Sequence, residues 1–205
     1  KKQMALQKAK LDLEKTEKAL QERERRVNEL EAIIAEKDAA VMALKDKIAE
    51  ALLGFKDKGL TVEQRNGKIY ISMEAELLFP KGSTSVDSEG QKALVELAKI
   101  LQEQKDLEIL VEGHTDIDKL SGNGPIKDNC ELSVMRATAV VKIMLSNSEI
   151  TPKQITAAGK GEHAPVDAGI TEEAKAKNRR IEVILTPNLD ELFEIISPES
   201  SAGKE

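Results

Sequence analysis

The chain has 205 residues, 31 of them basic and 37 acidic, with two His, one Cys, no Trp, one Tyr and three Phe. That length allows one ordinary domain of roughly 100–150 residues with something added. A single Cys excludes an intramolecular disulfide framework, and one Cys with two His argues against a structural zinc site. No apolar run approaches the roughly 18–20 residues that span a bilayer. A net charge of −6 with 2% aromatics argues against nucleic acid, which is held by basic stripes and stacking rings. The same scarcity argues against stacking on sugars, so recognition is expected to work through charge.

Lys1 opens directly into a charged periodic segment, with no basic start, apolar stretch and cleavage site of a secretory signal. The chain reads either as cytosolic or as a mature piece whose export signal is gone. Residues 1–58 carry 14 basic and 12 acidic side chains, no Pro, and no Gly before Gly54. Leu6, Leu13, Leu20, Val27, Ile34, Val41 and Ile48 keep a seven-residue step. Three positions later stand Ala9, Thr16, Arg23, Leu30, Lys37, Leu44 and Ala51, a column that is only partly apolar. Such spacing predicts a left-handed coiled coil, and β-branched residues in the first column favour two strands. Fifty helical residues extend about 75 Å. A marginal parallel homodimer, a helix docking on a partner, and a solvated single helix laced with Glu–Lys pairs all fit this pattern.

Gly54 and Gly59 mark a hinge, and residues 54–67 read as a linker. A turn at Asn66-Gly67 precedes a strand over 68–72, and 77–79 is a short apolar piece ended by Pro80. Leu94, Leu97, Ala98 and Leu101 have helical spacing behind a capping box at Ser88 and Gln91. A strand over 107–112 ends at Gly113. Leu132, Met135, Ala139 and Ile143 predict a second amphipathic helix ending near Asn147. Strands follow over 155–158 and 181–185, then a closing helix through Leu189, Leu192, Phe193 and Ile196, and a tail over 198–205. The fold class is α+β, a sandwich with a mixed sheet. The domains are 1–53 coiled-coil helix, 54–67 linker, 68–197 folded domain and 198–205 tail.

Charge and geometry meet between Val111 and Arg136. Asp116 follows a strand end, and Arg136 lies on the first turns of the next helix. Such a pair suits a zwitterion, with the carboxylate for an ammonium and the guanidinium fork for a carboxylate. Spacing alone equally allows Asp116 and Arg136 to pair with each other. No nucleophile elbow surrounds Ser133, and Gly159-x-Gly161 lacks the third Gly of a dinucleotide site. His163 and Cys130 read as surface and packing residues, and Glu172-Glu173 as a solvated face. No catalytic constellation, metal site or cofactor is expected.

Four stretches occur in order: Gly113-His114-Thr115-Asp116, then Asn129-x-x-Leu132-Ser133-x-x-Arg136-Ala137, then Gly159-x-Gly161-Glu162, then Asn178-Arg179-Arg180-Ile181-Glu182. Over roughly residues 68–186 the chain resembles the OmpA-like C-terminal domain of OmpA, the peptidoglycan-associated lipoprotein Pal and the stator protein MotB. The resemblance implies a β-α-β-α-β-β sandwich that binds peptidoglycan non-covalently in the periplasm, through the diaminopimelate of the stem peptide. Carried over by motif, Asp116 takes the ammonium and Arg136 the carboxylate. Thr115 and Asn129 supply hydrogen bonds, and Arg179 lies at the pocket edge. His114 and Arg180 are expected to support the fold. The loop 117–128 is longer than that of OmpA itself, as in the MotB branch, whose Asn-Trp-Glu-Leu-Ser run resembles residues 129–133 with Cys130 in place of the aromatic. No ligand contact is expected from residues 79–83. The whole then reads as an envelope anchor, tethered to the outer membrane by an upstream lipid or membrane segment and dimerised through its stalk. A MotB-type stator subunit is the alternative, and an enzyme acting on peptidoglycan a third reading.

Overall fold

A computed structural model of the chain describes residues 2–120 and 124–190, with Leu192 and Ile195. The chain divides into two compact units, residues 1–40 with 189–205, and residues 41–188. The closing helix expected over 189–196 and the tail over 198–205 lie outside the described residues, apart from Leu189, Asp190, Leu192 and Ile195.

Helix α1 (Lys2–Ala51) supplies the described part of the first unit up to residue 40. Its charges pair along the helix: Glu22 accepts from Arg25 at 2.9 Å and Arg26 at 3.1 Å, and Arg25 reaches Glu29 at 3.3 Å. Hydrogen bonds from Arg25 and then Arg26 lower the Glu22 carboxyl to about 2. Exposed pairs of this kind contribute little to stability. The apolar column from Leu6 to Ile34 is 48–62% exposed. Its next members behave otherwise, for Val41 and Ile48, with Leu44 and Leu52, are buried in the core of the second unit. One heptad frame therefore serves two purposes, an open face before residue 40 and domain core after it.

Residues 54–67, expected as a linker, are structured. A 3-10 helix (Leu53–Lys58) stops at Gly59, whose φ of 83° suits a residue without Cβ. Strand β1 (Leu60–Arg65) then pairs antiparallel with β2 (Lys68–Glu74) through Asn66 and Gly67, both at positive φ as a tight hairpin requires. β1 escapes a reading by apolar alternation because it is an edge strand, and Thr61, Glu63 and Arg65 face outward on it. Of the apolar piece at 77–79, Leu77 and Leu78 belong to a one-turn helix α2 (Ala75–Leu78), and Phe79 is its extended C-cap. Helix α3 (Ser88–Leu101) is capped by Asp87, which accepts from Gly90 N at 2.8 Å. The expected Ser88–Gln91 box is displaced by one residue, because Gln91 turns back to donate to Val86 O.

Strand β3 (Leu107–His114), helix α4 (Asn129–Ser146), strand β4 (Ile155–Gly161), the short helix α5 (Glu172–Asn178) and strand β5 (Arg180–Pro187) complete the fold. The sheet order is β1-β2-β5-β3-β4, antiparallel except for the β3–β4 pair, which α4 connects. The expected β-α-β-α-β-β order in a mixed sheet, preceded by a long helix, is recovered, with β1 added at the edge and the short helices α2 and α5 inserted before α3 and β5. Ile69, Ile71 and Met73 of β2, Val111 of β3, and Ile181, Val183 and Leu185 of β5 form one apolar face. Leu94, Leu97 and Leu101 of α3 and Val140 and Met144 of α4 fill it from the helix side.

Ile48 is fully buried while Leu13 is 59% exposed. Ile48→Ala should therefore destabilise the domain by about 2–5 kcal/mol in urea unfolding, and Leu13→Ala by less than about 0.5. Equal effects would refute the division of the helix.

Candidate functional site

The site grows from where α4 meets the ends of β3 and β4. Asp128 caps α4 by accepting from Glu131 N at 2.7 Å, and the Glu131 carboxylate accepts from Lys127 N at 2.8 Å. This fixes Asn129 at the first turn. The buried stripe of α4 runs through Asn129, Leu132, Ser133, Arg136, Ala137, Val140 and Met144. Arg136 thus sits on the core-facing side, against the rule that long charged side chains stay in water. Its position depends on two glycines: a Cβ at Gly113 would overlap the Ser133 carbonyl, and one at Gly159 would overlap the Ser133 hydroxyl. Ser133 Oγ donates to Cys130 O at 2.8 Å and accepts from Gly161 N at 3.1 Å, tying helix to strand.

A cavity of about 740 Å³ opens beside this contact, and Asp116, Arg136 and Arg179 all line it. Asp116 does not pair with Arg136. Its Oδ2 accepts from Arg179 Nη1 at 2.8 Å and its Oδ1 from Asp118 N at 3.0 Å. Arg179 Nη2 also donates to Glu76 Oε1 at 3.0 Å. Burial works against the Arg179 charge, but Asp116 and Glu76 outweigh it and raise its pKa. Arg136 donates Nε to Ser83 O at 3.0 Å and lies 4.9 Å from the centre of the Phe79 ring. Burial, then the neighbouring Arg179 charge, lower its pKa, and Asp116 offsets this in part. Among the described residues no carboxylate comes within ion-pair distance of Arg136.

Thr115 and Asn129 take other positions. Both are buried, and neither lines the cavity. Thr115 N donates to Gly161 O at 2.9 Å, and its hydroxyl donates to Asp116 O at 3.0 Å. Asn129 Nδ2 donates to Asp116 O at 3.3 Å and Asp118 O at 3.0 Å. These contacts hold the turn that presents Asp116. Residues 79–83, from which no contact was expected, contribute most of one cavity wall. Phe79, Pro80, Lys81 and Gly82 line it, and Ser83 fixes Arg136. Their part is invisible in spacing, because Ser83 acts through its backbone oxygen. Glu76, Asp118 and Lys175, also unmarked by motif, complete the charge set, with Lys175 Nζ on Asp118 Oδ2 at 2.9 Å. Cys130 is exposed and is not among the residues lining the cavity.

On the opposite sheet face Glu112, His114 and Glu182 bring metal-capable atoms within 4.8 Å of one another. Arg180 already binds Glu182 at 2.9 Å and Lys160 lies 3.7 Å from Glu112, so both carboxylates have their countercharge within the protein. The ion pairs of the cluster lie within β5 and between β3 and β4, with the His114 ring packed among them. Burial, then Arg180, push the His114 pKa down to about 4. Its two ring nitrogens have no hydrogen-bond partner, although Nε2 is 3.2 Å from Glu112 Oε1.

Helices on one face of a mixed sheet, with a charged crevice at the β3–α4 junction, define a two-layer domain. Residues 78–179 match the OmpA family, and this part of the chain is an OmpA-family domain. The chain is 30% identical over 119 residues to Motility protein B of Bacillus subtilis, covering 58% of this chain and 45% of that protein. It is 34% identical over 108 residues to the peptidoglycan-associated lipoprotein of Buchnera aphidicola, covering 53% of this chain and 59% of that one. The chain thus spans about half the length of these curated relatives. The crystal structure of a putative MotB-like protein from Desulfovibrio vulgaris superposes with a TM-score of 0.69 at 25% identity, covering 75% of this chain and 95% of that one.

His114 should make the fold acid-sensitive. In the unfolded chain the imidazole takes a proton below about 6.5, whereas the folded protein refuses it until about pH 4. Stability is therefore lost as pH falls through that window. Urea midpoints of the wild type should drop more between pH 7 and pH 4.5 than those of His114→Gln, and parallel pH profiles would refute the buried neutral imidazole.

Proposed function

We propose that the domain binds peptidoglycan non-covalently, gripping the free zwitterionic end of the stem-peptide diaminopimelate, and so anchors the outer membrane or an envelope complex to the cell wall from the periplasm. One observation carries this reading: Arg136 is buried, stacked and held at Nε, yet has no carboxylate partner among the described residues. A desolvated guanidinium costs free energy unless an anion meets it, and a bound carboxylate would return that cost. Asp116 across the same cavity offers the complementary charge for an ammonium. The family match and the name of the Buchnera relative support the wall as the source of the ligand. Lys81 and Glu172 are further charges at the rim, and no group in the cavity calls for an enzymatic step.

No helix among the described residues is long and apolar enough to cross a membrane. Membrane attachment belongs to an upstream lipid or membrane anchor. The exposed column from Leu6 to Ile34 then serves homodimerisation of the stalk, since a run of five apolar residues at heptad spacing is the pattern that a second helix covers. Similarity to motility protein B favours a second reading, a stator subunit whose periplasmic domain grips the wall. It requires an upstream membrane helix with an ion-carrying Asp, which the native N-terminal sequence would reveal.

Calorimetric titration with a diaminopimelate-containing muropeptide should give saturable binding. Arg136→Ala and Asp116→Ala should each weaken it by about 10–100-fold, the worth of a charge-assisted hydrogen bond. No heat at millimolar ligand, or affinity unchanged in both variants, would end the assignment. In sedimentation equilibrium the chain should show a concentration-dependent dimer that Leu13→Asp with Leu20→Asp converts to monomer. A wild type that stays monomeric throughout would remove the dimeric stalk.

A further inference from the structure

Both oxygens of the Asp116 carboxylate accept a hydrogen bond from the protein. Oδ1 holds the Asp118 N–H and Oδ2 holds Arg179 Nη1, so an arriving ammonium must compete with Arg179 for the charge of this carboxylate. We propose that Arg179 is a specificity-determining residue that stands in for the ligand ammonium on Asp116, so that binding is an exchange of ion-pair partners which a zwitterion can complete and a simple amine cannot. The inference rests on the pocket reading above and adds the part played by Arg179.

Arg179 is built to let go. Its Nη2 stays on Glu76 Oε1 at 3.0 Å, and Glu172 Oε2 stands 4.0 Å from the Nη1 that would be released. Its side chain is 25% exposed against 12% for that of Asp116, so the guanidinium has room to turn while the carboxylate is held. The backbone around it is anchored separately, with Arg179 N donating to Lys175 O and Arg179 O accepting from Ala75 N. Release of the side chain therefore need not disturb the chain path.

Arg179 also presses on Arg136: its charge is one of the causes that lower the Arg136 pKa. Two guanidiniums lining one cavity repel each other, and a carboxylate placed between them relieves that repulsion. A ligand carrying both charges thus gives Asp116 an ammonium and gives the freed Arg179, with Arg136, a carboxylate. Two ion pairs replace one. A ligand with the ammonium alone must break the Asp116–Arg179 pair, offers Arg179 nothing in return, and leaves the two guanidiniums facing each other. It replaces one pair by one. The pocket therefore rejects amines by the pair that it already contains, as well as by failing to match them.

The test compares two synthetic stem tripeptides with meso-diaminopimelate or lysine as the third residue, both amidated at the L-centre carboxyl so that only the diaminopimelate peptide keeps a carboxylate beside its free ammonium, titrated into the full chain. Wild type should prefer the diaminopimelate peptide by at least tenfold. Arg179→Gln, which keeps both backbone hydrogen bonds, should bind the lysine peptide about twofold to fivefold more tightly than wild type, the worth of one partly exposed ion pair. Its affinity for the diaminopimelate peptide should change by less than twofold, so that discrimination falls. Arg179→Lys, which restores a cation on Asp116, should recover most of it. If Arg179→Gln weakens both peptides alike, Arg179 is a plain ligand contact and the exchange is refuted while the pocket stands. If neither peptide changes affinity, Arg179 plays no part in selection. If the wild type binds neither peptide at millimolar concentration, the pocket reading falls, and the exchange with it.

Discussion

The close approach of α4 to the sheet at Ser133 is the constraint on which the site depends. Gly113 and Gly159 present bare backbone to Ser133, and a methyl group at either would push the helix away. With the helix seated, Ser133 accepts the Gly161 N–H, Asn129 reaches the carbonyls of the Asp116 turn, and Arg136 comes to lie over Phe79. Moving α4 outward by the width of a methyl would break all three together. Interiors are close-packed and do not deform smoothly, so such a shift is resisted throughout the core.

That packing also explains the electrostatics of the crevice. Arg136 lies on the buried stripe of its helix because the residues one turn before and after it, Ser133 and Val140, face the sheet. Its charge is paid for only in part, by one backbone carbonyl and one aromatic ring. Asp116 is supported far better, by a backbone N–H and by Arg179. The crevice is thus asymmetric: its anion is satisfied within the protein and its cation waits for one. The second charged cluster, around His114, is closed on itself, since Arg180 and Lys160 neutralise Glu112 and Glu182.

The heptad frame of α1 shows how one pattern can serve two environments. Leu6 to Ile34 remain exposed, while Val41, Leu44 and Ile48 join the core of the second unit. Periodicity records only that one side of a helix is apolar. Whether a sheet, a second helix or water meets that side is decided by what lies near it.

Much was legible from residues alone, because the relevant signals are local. Apolar alternation over 107–112 and 181–185, helical stripes through Leu94 and Leu132, and the Asn66-Gly67 turn each depend on neighbours within a few positions. The four motifs placed Asp116, Arg136 and Arg179 in one region, since a strand end and the helix that follows it are close in any such fold. What sequence could not decide was which charge meets which. Arg179 stands 63 positions from Asp116 and 103 from Glu76, and the Ser83 carbonyl that holds Arg136 is a backbone group with no signature of its own. Motif alone assigned Thr115 and Asn129 hydrogen bonds to ligand, whereas only the packed structure turns their side chains toward the Asp116 backbone. Sequence determined most of the elements and the family, because local propensity and motif spacing are written along the chain. Tertiary structure alone decided the ion-pair partners, because they come from separate elements and are chosen by distance and burial.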